Sequence, residues 1–114
     1  MALHATNGDS KRSGTNPGEL IAAALAGSFS LTLASELGQA GYQPRQIDTM
    51  VTVTLEHLAA RWTLTQIYLD VAATVPKAVE CDFVDATLQA KANCPVSRAL
   101  TVNILMSAKL TRNE

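Results

Sequence analysis

The chain has 114 residues, 47% of them hydrophobic and 17% charged, which suits a single domain with a buried core and excludes a disordered polymer. Its formal net charge of -1 comes with no basic stripe, so nucleic acid is not an expected partner. Residues 1–17 are polar with no apolar signal core, and the two cysteines, Cys81 and Cys94, read as free thiols, which points to a reducing, cytoplasmic setting.

Residues 1–17, rich in Gly, Ser, Asn and Thr, read as loop, leaving 18–114 as the folded core. A first helix is expected to start at Pro17 or Gly18, with Asn16 as N-cap, Pro17 in the first helical position and Glu19 in the first turn, where its charge suits the helix dipole. From Leu20 to Leu37 this helix is apolar or small nearly all round, so it should be buried on more than one side. The uncharged run Leu20 to Ser35 is short for a bilayer span and is broken by Ser28, Ser30, Thr32 and Ser35, so no membrane partner is expected. Gly38 and Gly41 end the helix.

Alternation then takes over. Val51, Val53 and Leu55 face one way and Thr52, Thr54 and Glu56 the other. After a short connection at Leu58–Arg61, a second strand puts Ile67, Leu69, Val71, Ala73 and Val75 on one face, making an antiparallel hairpin closed by Pro76. Residues 78–92 read as a second helix with Val79, Phe83 and Leu88 on its apolar side. A helical turn follows at Cys94-Pro95 with Asn93 as its cap, and a last strand runs from Thr101 to Leu110. Helix 82–92 holds Cys81 and Cys94 too far apart for a disulfide. The order is that of an α+β fold, with helices packed on one sheet.

Two segments carry more than fold. The stretch Gly14-Thr15-Asn16-Pro17-Gly18-Glu19, followed by Ala26-Gly27-Ser28-Phe29, and the later Asn93-Cys94-Pro95-Val96-Ser97 together resemble the two signature regions of the OsmC/Ohr family of thiol-dependent hydroperoxide reductases. The resemblance runs from Gly14 to the C-terminus. It implies an OsmC-like fold, a long central helix and a second helix packed on an antiparallel sheet, with the family's N-terminal strands missing. It also implies an intertwined homodimer with active sites at its interface, an organic hydroperoxide or another apolar small molecule as ligand, a role in oxidative or osmotic stress, and no cofactor.

A peroxide-reducing thiol must be ionised, must have a donor beside the departing oxygen, and needs a second thiol to capture its sulfenic acid. The resemblance assigns the first role to position 28 and the last to Cys94. Position 28 is Ser28, whose hydroxyl is a far weaker acid and cannot form a sulfenic acid, so the expected site is degenerate. The glutamate that follows Asn-Pro in the family is Gly18 here; Glu19, one residue on and about 100° round a helix, is a possible substitute. No N-terminal strand supplies the family's arginine, and Arg12 falls in the loop. Ser28 has no base near it in sequence, since the histidines are His4 and His57, and these two lack metal-ligand spacing. Cys81 reads as a small, partly buried side chain, and Trp62 and Tyr68 as residues of an apolar cleft or dimer core. Two readings follow. One is a hydroperoxide reductase lineage with an impaired site, and the other a non-catalytic dimer. A one-cysteine chemistry at Cys94 is a third.

Overall fold

The computed structural model describes residues 2–7 and 17–112. The elements are β1 (Ala2–Asn7), α1 (Pro17–Gln39), β2 (Gln46–Leu58), β3 (Arg61–Thr74), α2 (Glu80–Asn93), α3 (Pro95–Ala99) and β4 (Ile104–Thr111). They form one four-stranded sheet in the order β1-β2-β3-β4.

The β2–β3 hairpin is the spine. Its inward residues Val51, Val53, Ile67, Leu69 and Val71 are all fully buried, as the period-two pattern requires. Pairing places Val51 opposite Leu69 and Val53 opposite Ile67. The register slips by one between Thr54 and Leu55, so that Thr65 is the extra residue of a bulge. Its hydroxyl is held by Glu56 at 2.8 Å. The hairpin turns on Ala59 and Ala60, with φ of 48° and 65°. Two positive φ values in a two-residue loop match the right-handed twist of the strands but strain a side chain with a Cβ.

The covering layer is α1. Its buried residues Gly18, Ala22, Leu25, Ala26, Phe29, Leu33 and Leu37 recur at three- and four-residue steps and make one stripe against the sheet. The helix is long and apolar enough to cross a membrane by length and composition, yet Leu25, Phe29 and Leu33 are fully buried against the protein's own sheet. Burial on more than one side is not met within the single chain. On the opposite side Leu20 is 57% and Leu31 76% exposed. In α2 the stripe is Phe83, Ala86, Thr87 and Ala90. Val79 precedes that helix and Leu88 points away from its stripe, so both are exposed, contrary to the expected apolar side.

Three expectations need correction. The α+β fold stands, but β4 runs parallel to β3, with Ile67 opposite Ile104 and Leu69 opposite Met106, so the sheet is mixed. The cause is the crossover through α2 and α3, which returns the chain to the starting end of β3. The reading of 1–17 as loop fails over Ala2–Asn7, which pairs antiparallel with β2 from Ala2 opposite Glu56 to Asn7 opposite Val51. Six residues with little apolar alternation give a weak strand signal, and it is the unpaired edge of β2 that recruits them. The expected absence of N-terminal strands is corrected by the same element. Asn16, Gly14, Thr15 and Arg12 lie outside the described residues.

Candidate active site

The two signature segments meet. Ser28 Oγ lies 3.1 Å from Cys94 Sγ, across 66 residues of sequence. Helix α1 fixes the first group. Ser28 precedes the buried Phe29 and sits at the edge of the stripe, half-buried, with its carbonyl accepting from Thr32 Oγ1 at 2.8 Å. The α2–α3 junction fixes the second. The backbone N–H of Cys94 donates to Ala90 O at 2.9 Å, closing α2, while its carbonyl accepts from Arg98 N–H at 3.0 Å, opening α3. Cys94 itself is therefore the N-cap of α3, with extended backbone and Pro95 at the first helical position. The expected cap, Asn93, is instead the last residue of α2, and its side chain donates to Glu36 at 3.3 Å. Proline at the first position demands an extended residue before it, and that residue is Cys94.

The sulfur of Cys94 is fully covered. Burial raises its pKa, but donors outweigh that effect. The Ser28 hydroxyl, the N–H and hydroxyl of Ser97 and the N–H of Val96 together bring the thiol below its ordinary value. Ser97 is a residue that the sequence reading quoted but assigned no role. The available signal was its spacing, because a capping residue faces the amide three positions on. Its hydroxyl is buried and makes no aligned hydrogen bond.

The other candidates do not join this pair. Gly18 is buried in the first turn of α1, and Glu19 lies half-buried beside it. Ten residues of helix separate Gly18 from Ser28, about 15 Å. Cys81 is an exposed free thiol in the first turn of α2, not a partly buried one, because the stripe of that helix passes through Phe83 and leaves position 81 outside. His57 lies at the hairpin end, its ring 5.1 Å from that of Trp62, and His4 lies in β1 opposite Thr54. Trp62 and Tyr68 are 50% and 39% exposed. Among the described residues no three His, Cys, Asp or Glu side chains gather as metal ligands. A cavity of about 790 Å³ between Tyr42, Arg45 and Lys77 contains neither signature segment.

Residues 8–108 match the family model for OsmC-like protein. The chain belongs to the OsmC-like family. It is 42% identical over 98 residues to peroxiredoxin OsmC of Escherichia coli (strain K12), a match covering 85% of this chain and 68% of that protein. The same figures hold for peroxiredoxin OsmC of Shigella flexneri. Solved OsmC-like structures share the fold. The one from Mycoplasma pneumoniae superposes with a TM-score of 0.78 at 16% identity, over 89% of this chain and 75% of that one. An OsmC-like protein of unknown function from Vibrio cholerae gives 0.73 at 16% identity, over 81% of this chain and 62% of its own length. An organic hydroperoxide resistance protein from Elizabethkingia anophelis gives 0.68 at 21% identity, over 86% and 69%. This OsmC-like chain thus spans about two thirds of the length of several of its relatives.

Proposed function

We propose that this protein descends from thiol-dependent organic hydroperoxide reductases and that its two-cysteine cycle is interrupted at Ser28. The observation that carries this is the 3.1 Å contact between Ser28 Oγ and Cys94 Sγ. Where two thiols stand this close, a sulfenic acid on one is captured by the other as a disulfide. A hydroxyl in one of the two places donates a hydrogen bond and goes no further. The named relatives, peroxiredoxins and a hydroperoxide resistance protein, support the choice of substrate class.

The working unit in this reading is a homodimer in a reducing, cytoplasmic compartment. The outward stripe of α1, with Leu20 and Leu31 exposed, supports a partner there, since an apolar helix face of this kind is normally covered. A non-catalytic dimer with an apolar ligand cleft is the second reading, and the exposed Trp62 and Tyr68 favour it.

The test is steady-state consumption of cumene hydroperoxide with a dithiol reductant. The chain should give the uncatalysed baseline, and Cys94→Ser should not change it. Sustained turnover that disappears in Cys94→Ser would overturn the interruption at Ser28.

A further inference from the structure

The loop after α1 and the turn after β3 meet at one end of the sheet, and backbone bonds fix both. The N–H of Tyr42 donates to Leu37 O at 2.9 Å and that of Gly41 to Gly38 O at 3.0 Å, a pair that places Gly41 in the left-handed region, φ 92°. Tyr42 is pinned at its other end as well, where its hydroxyl donates to Asp82 at 2.6 Å. The N–H of Arg45 donates to Thr74 O at 2.8 Å and ties this loop to the end of β3. The turn that follows, Val75 to Ala78, is closed by Ala78 N–H on Val75 O at 3.3 Å, with Pro76 second and Lys77 third. Lys77 has a φ of 66°, a conformation that glycine adopts freely and a lysine adopts under strain. Packing does not account for the lysine either, because Lys77 is exposed. A strained side chain with no packing role points to what its ammonium group does.

Between the loop and the turn lies an open cavity of about 790 Å³, within the size range of small-molecule sites. Arg45 and Lys77 stand at it, and the half-buried Tyr42, Pro44 and Pro76 give it flat apolar walls. Among the described residues no carboxylate lines it. Neither cation has an ion pair there, the ion pair being that of Arg112 with Glu80. Asp82, at the hydroxyl end of Tyr42, lines a separate groove with Glu36 and Asp85. Two unpaired cations over an acid-free cavity, in a chain of net charge -1, form a local site for an anion. We propose that this cavity binds a small phosphate monoester that carries a flat ring, of the nucleoside monophosphate class, with the phosphate between Arg45 and Lys77 and the ring against Tyr42 and the two prolines. The guanidinium of Arg45 offers a fork of N–H donors that matches two phosphate oxygens, and Lys77 adds a point charge. The fixed ring of Tyr42 suits stacking by a planar group. Neither Ser28 nor Cys94 takes part, so this binding stands or falls independently of the interrupted cycle.

The test is calorimetric titration of the full chain with adenosine monophosphate at low ionic strength. Saturable binding with a dissociation constant of about 0.1 mM is expected, weakening as salt is added. Inorganic phosphate should bind about tenfold more weakly, and adenosine without its phosphate should give no saturable binding. Arg45→Gln and Lys77→Gly should each weaken adenosine monophosphate about tenfold. Lys77→Gly also relieves the strained turn, so its urea midpoint should rise while its affinity falls, a combination that loss of folding would not produce. Absence of saturable binding by the parent chain overturns the proposal, as does an affinity unmoved by both substitutions. Equal affinity for inorganic phosphate and adenosine monophosphate overturns the proposed ligand class.

Discussion

Replacing Ser28 with cysteine should convert the closest contact between the signature segments into a disulfide. The Oγ to Sγ distance is 3.1 Å, and a sulfur on the longer C–S bond, with a small rotation, brings the pair to the 2.05 Å of an S–S bond. Both side chains hang from packed elements, α1 and the α2–α3 junction, so little backbone movement is needed. The closed loop spans 66 residues, for which chain entropy gives about 4 kcal/mol of stabilisation over the reduced variant. With an m-value of about 2 kcal/mol per molar urea, the midpoint should rise by about 2 M on oxidation. The assay is a pair of urea melts on Ser28→Cys, oxidised with diamide and reduced with dithiothreitol. A variant that keeps two free thiols after oxidation, or whose oxidised form melts earlier, would refute the geometry on which the account stands.

Other consequences follow from the same geometry. Because the donors around Cys94 favour its thiolate, iodoacetamide alkylation of Cys94 in a Cys81→Ser background should reach half its plateau at a lower pH than an ordinary thiol. Ser28→Ala removes a donor to the charged form, so that midpoint should move up; no movement would mean that the Ser28 contact does not act on the thiol. Ala59→Asn with Ala60→Gly places turn-competent residues at two positive φ values and should stabilise the protein by about 1–2 kcal/mol in a denaturant melt, a gain that unstrained alanines would not permit. Leu31→Glu puts a charge where the outward face of α1 is 76% exposed in the single chain. The dissociation constant of the proposed dimer, measured by sedimentation, should then rise about 100-fold, roughly 2.7 kcal/mol. An unchanged dissociation constant would place any interface elsewhere.

The hairpin and the central helix were legible because their signals are local. Strict alternation from Val51 to Leu55 and from Ile67 to Val75 fixes which residues enter the core, and all the valines and isoleucine among them are fully buried. Pro17 likewise marks the start of α1. Strand direction is not a local property, and so β4 read as one more antiparallel strand until the α2–α3 crossover set it parallel to β3. Strand β1 was illegible for a related reason: Ala2–Asn7 is organised by the edge it joins rather than by its own pattern. At the site, the segments containing Ser28 and Cys94 were found by resemblance, but their separation was not. The place of Ser97 beside the sulfur was missed because the neighbours of a buried polar group can be counted only once the fold is in place.

Rescue of turnover tests the central claim most directly. Cumene hydroperoxide consumption with a dithiol should be measured on the chain, on Ser28→Cys and on Ser28→Cys combined with Gly18→Glu. The account predicts baseline consumption by the chain and sustained turnover once a thiol faces Cys94. Equal consumption by the chain and the cysteine variants would contradict it.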